Sequence, residues 1–130
     1  MERVKIFFKN DRFAEHNGIE LLEVSKGRAK AKMQIKSQHL NGVGIVHGGA
    51  IFTLADSVFA VASNSHGTVA LAINVSISYL KAARSGTLFA DAEEVSLNPK
   101  LATYSVRVTN ENDDLIALFQ GTVYRKKDKI

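Results

Sequence analysis

The residues best suited to chemistry fall within one stretch, Asn41 to Asp56. Asp56 stands among Ile51, Phe52, Leu54, Ala55, Val58 and Phe59. An ionised carboxylate in such company is costly unless it is paired, hydrogen-bonded or exposed in a cleft. Two readings follow. Either Asp56 is structural, bonded to Thr53, a backbone group or a neighbouring subunit, or it is a base or nucleophile in an apolar pocket. His47-Gly48-Gly49 leads into the same apolar run. The first N–H groups of a helix have no internal partners and carry partial positive charge, and glycine lets a ligand come close to that backbone. Such a helix start can bind phosphate, or polarise a carbonyl whose oxygen gains charge during reaction. A plain glycine turn is the structural alternative. Gly48 and Asp56 lie eight residues apart, a rise of about 12 Å along a helix. A single ester or thioester group does not span that distance. Catalysis using both predicts Asp56 of one subunit facing Gly48 of another across a two-fold axis, with two equivalent sites.

The elements that must hold these residues are legible from periodicity. Residues 48–64 cover every side of a helical wheel with apolar positions, which predicts a buried helix stopping near Gly67. Before it, the first eighteen residues read as a short helical segment closed at Asn17-Gly18, and 19–25 and 28–36 as two strands joined at Lys26-Gly27. The span from Gln38 to Val46 reads as a loop. After the helix come four strands, at roughly 68–80, 86–97, 101–110 and 115–125, with short turns that favour antiparallel neighbours. The expected domain is α+β, one long helix wrapped by an antiparallel sheet.

Composition narrows the function. At 130 residues and 45% hydrophobic content, one globular domain over residues 1–130 is expected. Cysteine is absent, which removes disulfides, thiolate metal sites and a cysteine nucleophile. The formal charge of +4 suits an anionic ligand. The basic residues are nevertheless spread out, apart from a charged tail expected at 126–130, so nucleic acid is not an expected partner. No stretch is long and apolar enough for a membrane span or a signal peptide; the expected location is the cytoplasm. Gly42-Val43-Gly44 fails as a dinucleotide fingerprint because its third glycine would fall on His47. His39 and His47 lack the carboxylate that would complete a metal site, so no metal is expected.

At Asn41-x5-His47-Gly48-Gly49-x6-Asp56 the chain resembles the hotdog-fold acyl-CoA thioesterases of the phenylacetate-degradation (PaaI-like) type. The similarity runs over almost the whole chain, from Asn17-Gly18-Ile19 through Tyr79-Leu80-Lys81-Ala82-Ala83 to Ala117-Leu118-Phe119-Gln120-Gly121. The resemblance implies a hotdog fold, a long central helix in a curved antiparallel sheet of five to six strands. It implies that Asp56 is the catalytic carboxylate, that the Gly48 N–H polarises the thioester carbonyl, that His47 supports the turn, and that Asn41 orients water or thioester. Gly49 would adjoin the substrate. Asn74 falls where relatives often carry an assisting hydroxyl, which an amide does not replace. Lys81, Arg84, Lys100 and Arg125 are candidate contacts for the phosphates of coenzyme A. The family implies a homodimer with shared sites, commonly in a homotetramer, and no metal or organic cofactor beyond the coenzyme A of the substrate. A non-catalytic acyl-CoA binding protein and a hotdog dehydratase are the rival readings.

Overall fold

The computed structural model describes all 130 residues. Two short helices come first, α1 (Glu2–Lys9) and α2 (Arg12–His16). The N-terminal segment is therefore broken rather than continuous. Asp11 causes the break: it adopts extended backbone and its side chain accepts the Ala14 N–H at 2.9 Å, starting a new helix. Gly18, in the left-handed region at φ +71°, ends α2. Strands β1 (Ile19–Ser25) and β2 (Arg28–Gln34) follow, then one 3-10 turn (Ser37–His39), the long helix α3 (Gly48–Asn64), and strands β3 (Thr68–Tyr79), β4 (Thr87–Leu97), β5 (Leu101–Thr109) and β6 (Leu115–Lys129).

The six strands form one antiparallel sheet in the order β1-β2-β4-β5-β6-β3. β6 runs further than its sequence suggests. Thr68 pairs with Lys129, and the Ile130 N–H reaches the Gly67 carbonyl, so 126–129 belong to the sheet and are not a loose tail. Their exposed lysines hide the strand from a hydropathy pattern, because here neither face of the pair is buried.

α3 packs on the sheet's inner face, chiefly against β2 and β4. There the cross-strand partners are alanines, Ala29 with Ala92 and Ala31 with Ala90, all buried. Their small side chains let the helix sit close, so that Leu54 and Val58 are fully enclosed. On the other side Phe59 meets Tyr104 and Phe119 at ring-centroid distances of 5.9 and 5.3 Å. Gly121 makes room for this stack, since a Cβ there would come within 2.6 Å of the Phe59 ring. The helix is not buried all round, however. Gly49, Phe52, Thr53, Asp56 and Ala60, at helical spacing, are only half-buried or exposed. Phe52 and Ala60 carry apolar positions onto this side of the wheel although it faces outward.

Beyond the far end of α3, Glu94 accepts from Tyr104 at 2.8 Å and pairs with His66 at 2.7 Å. Its side chain lies over Gly27, which is left-handed at φ +74°. Burial alone would raise the Glu94 carboxyl, but the bonds from His66 and Tyr104 outweigh it and hold it below its ordinary value of 4.5. A carboxylate depressed in the folded state stabilises the fold above its unfolded pKa, and that contribution is lost as pH falls through the folded value. Urea unfolding between about pH 3 and pH 7 should therefore show stability dropping on the acid side, with a shallower drop in Glu94→Gln. An equally steep acid limb in that variant would contradict the assignment.

Candidate active site

The start of α3 is built by side chains from several segments. His47 is its N-cap. Its backbone N–H donates to the His39 carbonyl at 2.7 Å, and its Nδ1 accepts the Gly49 N–H at 2.8 Å. His39 is itself buried, with Nδ1 accepting the Lys36 N–H and Nε2 lying 3.2 Å from the Asn17 carbonyl. Both ring nitrogens of His39 are thus used in scaffolding. Thr53 Oγ1 donates to the Gly49 carbonyl at 2.7 Å and the Tyr79 hydroxyl to the Gly48 carbonyl at 3.0 Å. The Gly48 N–H makes no hydrogen bond within the chain. It is a free donor at the positive end of a 17-residue helix. Beside it opens a mostly apolar cavity of about 360 Å³, lined by Ile45, Val46, Gly48, Ile51, Tyr79 and Leu80 among others. A larger groove of about 710 Å³ lies between α1 and β1 and holds none of these groups.

Asp56 projects from the half-open stripe of α3 two turns further on. Burial, and then the negative charge of Asp11, raise its carboxyl above the ordinary 3.8. No hydrogen bond within the chain stabilises its charge. The bond to Thr53 that would make it structural is not formed, since the Thr53 hydroxyl donates to Gly49 instead. The site therefore has a carboxylate and an N–H donor, both without partners in the chain, on one helix about 12 Å apart by helix rise.

The other expected residues divide. Asn41 Oδ1 accepts the N–H groups of Val43 and Ile45 at 3.0 and 3.1 Å, so this oxygen folds the loop and only the amide nitrogen is left for a ligand. Asn74 is exposed on β3 opposite Thr122, beside a register shift. Lys81 Nζ is paired with Asp114 at 2.8 Å, and Arg125 donates to the Asn98 carbonyl at 2.8 Å. Both are engaged, whereas Arg84 and Lys100 are exposed without an ion pair. No pattern in the sequence marks Tyr79 as a site residue. It lies 31 residues from Gly48, and nothing in a strand's alternation marks a hydroxyl aimed at a helix start.

One long helix laid across a curved antiparallel sheet of six strands is the hotdog fold. The thioesterase superfamily model matches residues 43–117. The chain is 34% identical over 119 residues to the acyl-coenzyme A thioesterase PaaI of Escherichia coli, covering 91% of this chain and 85% of that one. The solved structure of the Escherichia coli PaaI protein superposes with a TM-score of 0.96 at 32% identity, over 99% of this chain and 94% of that one. A protein of Archaeoglobus fulgidus, assigned only provisionally as an esterase, is 53% identical over 127 residues, covering 96% and 82%. The smu.793 protein of Streptococcus mutans, solved bound to acetyl CoA, superposes with a TM-score of 0.82 at 28% identity over 86% and 91%. The chain belongs to the thioesterase superfamily, in its PaaI-like branch of thioester hydrolases.

The coupling of Asp11 to Asp56 is open to a direct check. Asparagine caps a helix as well as aspartate does, so Asp11→Asn keeps α2 and removes one negative charge. Side-chain carboxyl titration by NMR should place Asp56 above 3.8 in the native protein and lower in Asp11→Asn. An unmoved midpoint would show that the Asp11 charge does not reach Asp56.

Proposed function

We propose that this enzyme hydrolyses acyl- or aryl-acyl-CoA thioesters to the free acid and CoA, with Asp56 and the Gly48 N–H as its chemical groups. The observation that carries the reading is the ionisable Asp56, partly buried and without a partner in its own chain, on the open stripe of α3. A carboxylate kept there against its desolvation cost has a use other than packing. The substrate class follows the coenzyme A named for the Escherichia coli relative and bound by the Streptococcus mutans protein.

In this reading the thioester carbonyl oxygen accepts the Gly48 N–H, and the helix dipole favours the negative charge that develops on it. His47 holds the turn, with Gly49 beside the substrate, and the Asn41 amide nitrogen orients the attacking water. Asp56 either takes the proton of that water as it attacks or itself attacks the carbonyl, giving an anhydride that water opens. Both routes release the CoA thiol and the free acid. A thioester is activated enough that we propose no metal or organic cofactor. Arg84, together with Lys100, is the freest candidate for the CoA phosphates. Lys81 would have to leave Asp114 to join it, and Asn74 lines the approach along β3.

The two chemical groups meet only if two subunits share a site, so we propose a homodimer, doubled in a homotetramer, working in the cytoplasm. Strand β3 supports this. It is the open edge of the sheet over twelve residues and exposes Leu71, Ile73 and Tyr79, with Leu80 just beyond it, a surface that soluble proteins ordinarily pair or cover.

Asp56→Asn tests the reading. Release of CoA thiol from a panel of acyl-CoA substrates should fall by about a thousandfold or more. The variant should also fold and unfold at a higher temperature, because a charge with a raised pKa opposes folding once ionised. Undiminished hydrolysis, or inactivity explained by lost stability, would contradict it.

A further inference from the structure

We propose that Tyr79 is a positioning residue for the reaction: by holding the Gly48 carbonyl, its hydroxyl sets the direction in which the Gly48 N–H points. This rests on the reading of Gly48 as the group that polarises the substrate carbonyl.

The need arises from the glycines. Two in succession at the start of α3 leave its first peptide units with more backbone freedom than any other residue pair would, whereas an oxyanion donor works by being aimed before the reaction begins. Side chains supply the missing constraint. The Gly48–Gly49 peptide is held at both ends, its N–H by His47 Nδ1 at 2.8 Å and its carbonyl by the Tyr79 hydroxyl at 3.0 Å. The peptide that bears the free N–H is anchored through the His47 carbonyl, which accepts from Ala50 and Ile51 at 2.9 and 3.3 Å. With the next plane held as well, rotation at the Gly48 Cα between them is restricted and the free N–H keeps its direction. The Tyr79 ring acts as well. A Cβ on residue 48 would lie 3.1 Å from the ring carbon that bears the hydroxyl, so glycine at 48 lets the tyrosine make this bond without giving way by a few tenths of an ångström.

Tyr79 is itself fixed from the sheet. It ends β3 opposite Ala117, the next N–H, of Leu80, donates to the Ile116 carbonyl at 2.8 Å, and Val46 bonds the Ala83 carbonyl just beyond at 2.8 Å. The strand end and the helix start are thereby one unit. The ring remains about half exposed, at 51%, and borders the cavity beside Gly48. A residue in that place for packing alone would need no hydroxyl.

Tyr79→Phe keeps the ring and removes only the hydroxyl. It should lower kcat about fivefold while KM stays within about twofold and the melting temperature is unchanged. The second readout is infrared. Acyl-CoA labelled with 13C at the thioester carbonyl, bound to Asp56→Asn, should show its carbonyl band below the free value, and Asp56→Asn/Tyr79→Phe should show a smaller displacement. An unmoved band with native kcat in Tyr79→Phe would overturn the proposal, as would a loss confined to KM or melting temperature. Native hydrolysis by Asp56→Asn is a separate result that contradicts the role of Asp56 and leaves the Tyr79→Phe kinetics to decide the positioning role.

Discussion

A peptide N–H and a carboxylate eight residues apart on one helix are held about 12 Å from each other, and no choice of side chain changes that rise. The rest of the molecule is arranged around this separation. The donor at Gly48 and the carboxylate of Asp56 both lack partners in their own chain, and in the proposed reaction each supplies half of a site. The fold keeps the helix close to the sheet through its buried alanine floor, and it leaves open the stripe that carries Asp56. A fold that buried the whole helix would leave the carboxylate unpaired in the core and closed to any ligand.

The two ends of α3 are managed in opposite ways. At the start, His39, His47, Thr53 and Tyr79 bond backbone groups, so that one N–H is left over and aimed. Beyond the C-terminal end, Ser65 takes the Gly27 N–H at 2.7 Å and donates to Ala62 at 2.6 Å, while His66, Glu94 and Tyr104 close a satisfied network. Polar groups there have partners, and the carboxylate is held below its ordinary pKa rather than above it. Asp56 and Glu94 show how surroundings divide two carboxylates, one raised by burial without a partner and one held low by the bonds it accepts.

Much of this was legible in the sequence. Alternation along β2 and β3 to β6 marks the strands, and the apolar run after His47-Gly48-Gly49 marks α3 to its last residue. Asp56 makes neither the Thr53 bond nor any other bond within its chain, so of the structural readings only a partner in a neighbouring subunit is left beside the functional one. What escaped depends on partners distant along the chain. Tyr79 reaches Gly48, Lys81 reaches Asp114, and the lysines of 126–129 lie in a strand only because β3 extends that far. Asn41 carries the expected motif, yet its oxygen closes its own loop. Periodicity records which face is wet, not which hydroxyl or carboxylate waits across the fold.

Subunit mixing tests the central claim of a site shared between chains most directly. Asp56→Ala lacks the carboxylate. Gly48→Pro lacks the N–H at a position where proline suits a helix start. Each variant alone should be inactive. Co-refolded in equal amounts, half the dimers are mixed and one of their two sites has both groups, so about a quarter of native activity should return. A mixture of folded, mixed oligomers as inactive as its parents would contradict the account.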